Sequence, residues 1–535
     1  MTLAARRFGG RLGGRDREGE TPVNGAESLV HTLLKSGVDT CFANPGTSEM
    51  HFVAALDRIP GMRCVLGLQE NIVTGMADGY WRMAEKPAAT LLHCGPGLAN
   101  GLANLHNARR ARSGIVNVVG DQATYHRPYD AQLTADTEGW ARPVSAWVRT
   151  ATDAKRVGAD AAVAVQAART APGQIATLIL PADTAWNEGG APAEALPVPA
   201  IPAPDPHAVR VAARTLREKK NVLILLGGMA LRGEAQALAW RIAQATGQKV
   251  LAEMSNARVE RGRGRLQLER VPYPVDMAID ALKGFEHLIL VNAKAPVGFF
   301  AYPNKPSIHY PETASVHVLS RYEEDGLAAL RALVDELGAP EAAIPDPGPR
   351  PEVGKGAPTP EGLARTVAAL IPEGGIVADE SVSFGRGFYK ETHAAPPHDW
   401  LHITGGAIGC GMPLATGAAI GAGGQRRVIN LQADGSGMYT LQALWTQARE
   451  RLPVTTIVLA NRKYQILLGE YQGVGANPGP TAMSMLDLGN PDLDWCKLAG
   501  GMGVEAARAT TLEQCADLLA QSCSHQAPFL IELMI

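Results

Sequence analysis

The feature that most restricts what this chain can become is a repeated alternation. Short, apolar, β-branched runs recur along it, separated by stretches whose apolar residues have helical spacing. In residues 24–188 the runs DTCFAN, RCVLGL, ATLLHC, IVNVVG and ATLILPA read as strands. Between them, SEMHFVAALDRI puts Met50, Phe52, Val53 and Leu56 at helical spacing. Residues 361–535 repeat the rhythm with GGIVADE, RRVINLQA, VTTIVLA and PFLIELMI. Residues 207–338 do so more weakly, with NVLILLGG, KVLAEM and HLILVNA. Such alternation builds parallel strands with helices on both faces. The expected fold is α/β, with three doubly wound parallel-sheet domains. Two proline-rich stretches, 189–206 and 339–360, are the expected linkers.

Charge and composition exclude some functions. The 535 residues are 46% hydrophobic and 19% charged, enough for several large cores, and the formal net charge is only −3. That leaves no electrostatic footprint for nucleic acid or an anionic membrane surface. No apolar run approaches the ~20 residues that span a bilayer. Residues 1–23 are basic and glycine-rich without the apolar centre of a signal peptide, and are expected to be a disordered leader. The seven cysteines are scattered, none in a CxxC pair, which points to the reducing cytoplasm.

In open parallel sheets, ligands bind beyond the carboxyl ends of the strands. The run VINLQA ends at Asp434, followed by Gly435, Ser436 and Gly437, and 27 residues later TTIVLA ends at Asn461. On adjacent strands, this carboxylate and amide would emerge side by side. That pair suits a hard divalent cation, which completes its shell with phosphate oxygens and water. Small residues after Asp434 let backbone N–H groups approach a phosphate. Taken alone, Asp434 reads more readily as a helix cap. No GxxxxGK[ST] occurs, so a P-loop is disfavoured.

Glu70 stands where VLGLQ turns into a helical stretch containing Ile72, Val73, Met76 and Ala77. It is either a first-turn glutamate favoured by the helix dipole or a buried carboxyl suited to moving protons. His93 ends ATLLHC, before a Gly-Pro-Gly, and is structural or catalytic. Thr47, in ANPGTSEM, reads locally as an N-cap. The glycines of residues 404–423 fit a dinucleotide fingerprint loosely and tight helix packing equally well.

Taken together, ANPGTSEM, LQENIVTGMADGY, LHCGPG, TGGAIGCGMP, ADGS and LANRKY resemble, in order, the thiamine diphosphate-dependent 2-oxoacid decarboxylase and acetolactate synthase superfamily. The benzoylformate decarboxylase branch is the closest pattern. The resemblance implies a pyrimidine-binding domain at 24–188, a middle domain at 207–338 and a pyrophosphate-binding domain at 361–535. It implies Mg²⁺ on Asp434, Asn461 and the Lys463 carbonyl, and diphosphate against Gly435, Ser436, Ser381 and Ser383. Tyr464 joins the cofactor-binding set. Gly406 matches the carbonyl that receives the aminopyrimidine, and Ile408 the wedge that bends the cofactor. Glu70 matches the glutamate that hydrogen-bonds the pyrimidine ring, and His93 and Thr47 match active-site positions. A small 2-oxoacid is the implied substrate. A homodimer or homotetramer is implied too, with Glu70 of one subunit over cofactor held by another.

Several positions depart from the pattern. Ala433 and Ala460 replace a Gly and an Asn that are not themselves ligands. Thr47 replaces a serine, and the second active-site histidine falls near Ala301. Gln465, Leu468 and Glu470 alter the substrate pocket after Tyr464. The reading is a benzoylformate decarboxylase-like enzyme that decarboxylates a 2-oxoacid and can join the product to a second carbonyl. An acetolactate synthase-like carboligase, a non-catalytic thiamine diphosphate-binding relative and a nucleotide-dependent oxidoreductase are the alternatives. The last lacks a strand leading at once into GxGxxG.

Overall fold

A computed structural model describes residues 23–535. The expected leader lies almost wholly outside the described residues. The first sheet holds β1 (Thr40–Ala43), β2 (Arg63–Leu66), β3 (Ala88–Leu92), β4 (Ile115–Asp121), β5 (Trp147–Thr150) and β6 (Ile175–Pro181). All pair in parallel, in the order β2-β1-β3-β4-β6-β5. Every residue of the central strands β3, β4 and β6 is buried, whereas the edge strand β5 is half-buried. Burial on both faces explains why the central strands are continuous apolar runs.

The middle sheet contains β7 (Val222–Leu226), β8 (Lys249–Ala252), β10 (His287–Val291) and β11 (Ser315–Ser320), ordered β11-β10-β7-β8 and again parallel. Between β8 and β10 the chain sends out β9 (Val259–Arg261), which leaves this sheet altogether. It pairs antiparallel with β13 (His398–His402) at the edge of the third sheet. That sheet also holds β12 (Ile376–Glu380), β14 (Val428–Ala433), β15 (Val454–Ala460), β16 (Glu505–Ala509) and β17 (Phe529–Met534). Its order is β16-β17-β15-β14-β12-β13-β9, with all pairs but the last parallel.

The first and third sheets share one core. Ile72, Met76 and Tyr80 pack with Met412, Leu414, Ala415 and Ala418 in a single apolar cluster. These residues lie on two helices, Glu70–Ala84 and Gly411–Gly421, that cross at backbone distance. A Cβ on Gly79 would stand 2.1 Å from the Leu414 carbonyl oxygen, and one on Gly417 would stand 1.9 Å from that of Met76. Of the glycines in residues 404–423, Gly417 and Gly421 are therefore explained by helix packing. At the far end of the same helix, the buried Arg82 pairs with Asp78 at 2.7 Å and donates to the carbonyls of His402 and Ala257. One guanidinium thus ties all three units together.

A second acid lies in the seam near the middle sheet. Glu253 accepts the Tyr322 phenol at 2.7–2.8 Å, and the Arg112 guanidinium lies 3.4 Å above the Tyr322 ring. Burial pushes the Glu253 carboxyl up to about 7, against the lowering pull of the Tyr322 hydrogen bond.

Two outcomes follow from this packing. Gly417→Ala should destabilise the fold by at least about 2 kcal/mol in urea denaturation, because the methyl meets a carbonyl that cannot move freely. Gly500→Ala, where a Cβ meets nothing within 4 Å, should change stability by less than about 1 kcal/mol. Glu253 titrates higher folded than its ordinary 4.5, so its stabilising contribution is complete below the unfolded value and lost as pH rises through about 7. Wild-type stability relative to Glu253→Gln should accordingly fall by on the order of 2 kcal/mol across that window, measured by denaturation at each pH. A gap that stays constant would mean the carboxyl is ionised throughout.

Candidate active site

Parallel pairing of β14 with β15 sets Ala433 opposite Leu459, so Asp434 emerges beside the turn that follows Ala460. The backbone N–H of Arg462 donates to Asp434 Oδ2 at 2.6 Å, and that of Gly435 to Oδ1 at 2.8 Å. Asp434 is buried, and burial raises its carboxyl despite these N–H groups. Arg462 takes a left-handed φ of 57° to make the turn. Asn461 Oδ1 accepts the Lys463 N–H at 3.1 Å. Asp434, Asn461 and the Lys463 backbone therefore offer oxygen ligands in one place, the donor chemistry that Mg²⁺ takes.

The neighbouring positions differ in how free their groups are. A Cβ on Gly435 would stand 2.6 Å from the Tyr464 ring, so that residue must be glycine for the turn and the ring to coexist. The Ser436 hydroxyl is engaged, accepting from Gln432 Nε2 at 2.7 Å and donating to the Ala433 carbonyl. A cavity of about 420 Å³ brings Ser383 together with Asn461 and Lys463. Ser381, by contrast, is buried and gives its hydroxyl to Asp379.

The loop holding Gly406 and Ile408 is pinned from both sides. Asn107 Nδ2 donates to the Ala407 carbonyl at 2.8 Å, and Asn104 Nδ2 to that of Gly409 at 3.2 Å. On the other side Glu380, wholly buried, accepts the N–H groups of Gly409, Cys410 and Gly411 and the Gln432 amide. Burial raises the Glu380 carboxyl although all four donors pull it down. Gly406 has a φ of 78°, and a Cβ there would stand 2.3 Å from Phe299 Cζ. Ile408 is half-buried on the same loop.

A second group gathers where the first sheet ends. Glu70 opens its helix, is 8% exposed, and accepts Asn100 Nδ2 at 3.0 Å. Gly97 lets the carboxylate approach, since a Cβ there would stand 2.9 Å from Glu70 Oε1. His93 follows β3, and its Nδ1 lies 2.8 Å from Glu49 Oε2. Glu49 is fully buried and also accepts the Gly46 N–H at 2.8 Å and the Ser48 hydroxyl. A carboxylate facing Nδ1 holds that nitrogen protonated, which leaves Nε2 as the free nitrogen. Thr47 itself is exposed, and the contacts with His93 come from Ser48 and Glu49. Burial pushes the adjacent Cys94 thiol up to about 11, so it is no thiolate nucleophile.

Glu70 and His93 thus share one neighbourhood, and Asp434, Asn461 and Lys463 another. Among the described residues, no hydrogen bond or ion pair joins the two groups. Glu49 and Glu380 escaped the sequence reading. Glu49 carried a faint signal, an acid two residues after Thr47 in a Pro-Gly turn. Glu380 carried none, because an acid at a strand end has many ordinary uses.

The chain is similar to known proteins over most of its length. Residues 23–140 match the model for the thiamine pyrophosphate enzyme N-terminal TPP binding domain, and residues 386–533 match its C-terminal TPP binding domain. A Mycobacterium tuberculosis protein provisionally named acetolactate synthase large subunit IlvX is 50% identical, over 96% of this chain and 99% of its own. Benzoylformate decarboxylase of Pseudomonas aeruginosa is 28% identical, over 94% and 97%. Among solved structures, the thiamine diphosphate-dependent 4-hydroxybenzoylformate decarboxylase of Rhodococcus jostii RHA1 superposes with a TM-score of 0.82, at 24% identity, covering 95% of this chain and 98% of that one.

The Glu380 anchor is testable. Glu380→Gln keeps the shape but turns an amide N–H₂ toward backbone donors, and should cost about 1–3 kcal/mol in urea denaturation. Unchanged stability would show that the loop does not depend on this carboxylate.

Proposed function

This chain belongs to the thiamine pyrophosphate enzyme family, and on that premise we propose that it decarboxylates a 2-oxoacid with Mg²⁺ and thiamine diphosphate bound. It is a thiamine diphosphate-dependent enzyme related to both benzoylformate decarboxylase and acetolactate synthase. When bound, the cofactor supplies a nucleophilic carbon and an electron sink for the loss of CO₂. Asp434, Asn461 and the Lys463 carbonyl hold the metal. Gly435, Ser436, Ser381, Ser383 and Tyr464 would line the diphosphate. The Gly406 carbonyl would orient the pyrimidine, and Ile408 would pack against the cofactor. Glu70 holds a proton at the pyrimidine ring. His93, with Nδ1 fixed by Glu49, presents Nε2 to the substrate, and Thr47 opens the short turn that carries Ser48 and Glu49.

The observation that carries this reading is the adjacency of Asp434 to the Asn461–Lys463 turn, made by the pairing of β14 with β15. In this reading residues 24–188 bind the pyrimidine, 361–535 the diphosphate, and 207–338 form the middle domain. Glu70 and Asp434 sit on separate sheets whose helices are clamped together. A homodimer or homotetramer, in which Glu70 of one copy meets the metal site of another, brings them into one site. Seven unpaired cysteines suit a reducing cytoplasm. A second reading, a carboligase that joins the decarboxylated fragment to another 2-oxoacid, is favoured by the name of the Mycobacterium tuberculosis relative.

The test is CO₂ release from a panel of 2-oxoacids, including benzoylformate and pyruvate, with thiamine diphosphate and Mg²⁺ present. Glu70→Gln should lower the rate about 100-fold or more, and Asp434→Ala should abolish Mg²⁺-dependent cofactor binding in calorimetry. Full activity in Glu70→Gln protein would overturn the assignment of Glu70.

A further inference from the structure

The helix Gln465–Val474 continues directly from the Asn461–Tyr464 turn, and none of its residues is buried. Its one acid, Glu470, is half-buried and faces the middle unit. Tyr302 donates its phenol to Glu470 Oε2 at 2.7 Å, and Tyr273 donates to Oε1 at 3.3 Å. Burial, with Glu470 second, raises the Tyr302 phenol, so it remains a donor. Among the described residues, no lysine, arginine or histidine nitrogen pairs with Glu470. A carboxylate has about four acceptor positions, and two phenols leave the others open.

The surroundings are aromatic. The Phe299 ring lies 5.5 Å from that of Tyr273 and 4.9 Å from that of Phe300. Phe299 also sits against Gly406. Tyr302 packs on the same helix, where a Cβ on Gly473 would stand 3.0 Å from its ring. Glu470 therefore lies between the Gly406 loop and the metal turn, the two ends of the cradle described above. An aromatic surround with a carboxylate that has no cationic partner among the described residues is the arrangement that attracts organic cations. Ring faces attract the charge, and the carboxylate receives its N–H donors.

Resting on the reading of the site as that of a 2-oxoacid decarboxylase, we propose that Glu470, with Tyr273, Phe299 and Tyr302, determines specificity by receiving a cationic end of the substrate side chain. The substrate class is a 2-oxoacid ending in a guanidinium or ammonium group. Glu470 has an alternative role as a latch: it fastens an otherwise exposed helix to the middle unit. A latch has no preference for charge, and this separates the two roles.

The experiment compares 5-guanidino-2-oxopentanoate with its uncharged ureido isostere and with 6-amino-2-oxohexanoate. Binding to the cofactor-loaded Glu70→Gln enzyme is read by calorimetry, and CO₂ release by the wild type is read separately. The guanidino acid should bind about tenfold or more tighter than the ureido acid, and Glu470→Gln should narrow that ratio to about threefold or less. Tighter binding of the amino acid analogue than of the guanidino acid would assign an ammonium end instead. Glu470→Lys should reverse the preference, admitting 2-oxoglutarate over the guanidino acid. Equal binding of the charged and uncharged acids, or a ratio untouched by Glu470→Gln, overturns the proposal. Charge-selective binding without CO₂ release upholds the recognition role and defeats only the decarboxylase reading.

Discussion

The structure depends on a contact between two helices that have almost nothing between them. Gly75 and Gly79 on one, and Gly417 and Gly421 on the other, let side chains and backbone carbonyls occupy space that any Cβ would fill. Close approach of this kind gains dispersion along the whole contact but leaves no slack. The consequence reaches both sheets. The helix that opens with Glu70 and the helix that follows the Gly406 loop are fixed relative to each other within the chain, so Glu70 and that loop hold set positions on the subunit.

Sequence reading is strongest where burial is two-sided and apolar. The central strands of the first and third sheets, and the placement of Asp434 and Asn461 at adjacent strand ends, follow from continuous β-branched runs and the rule for parallel sheets. It fails where a buried strand is polar. β13 reads His-Asp-Trp-Leu-His, yet every residue of it is buried. Its Asp399 is held by Arg258 and Arg426, and Trp400 donates to Asp379. Those partners come from distant parts of the chain, so no local pattern announces the strand. β9 is a similar case: three residues, Val259–Arg261, desert the middle sheet to cover β13, and no periodicity could assign them.

The same contrast separates the site residues. Glu70, His93, Asp434 and Asn461 stand at strand or helix ends, which sequence can locate. Glu49 and Glu380 matter through what surrounds them in three dimensions. Glu49 fits only because position 120 is glycine: a Cβ there would stand 1.6 Å from Glu49 Oε1. Glu380 acquires its role from three successive N–H groups contributed by residues 409–411. Partners nearly thirty or more residues away are not legible from either acid's neighbours in sequence.

The buried acids near the site share a design that bears on its chemistry. Glu380 and Asp434 meet N–H donors, Glu49 meets a backbone N–H, a hydroxyl and an imidazole, and none has an arginine or lysine partner among the described residues. Neutral donors stabilise a carboxylate without cancelling its charge. An acid treated this way keeps a field that a metal ion, a proton or a substrate cation can still feel. Around Asp434 that residual field is open to a cation. Around Glu49 it steadies the proton on His93 Nδ1.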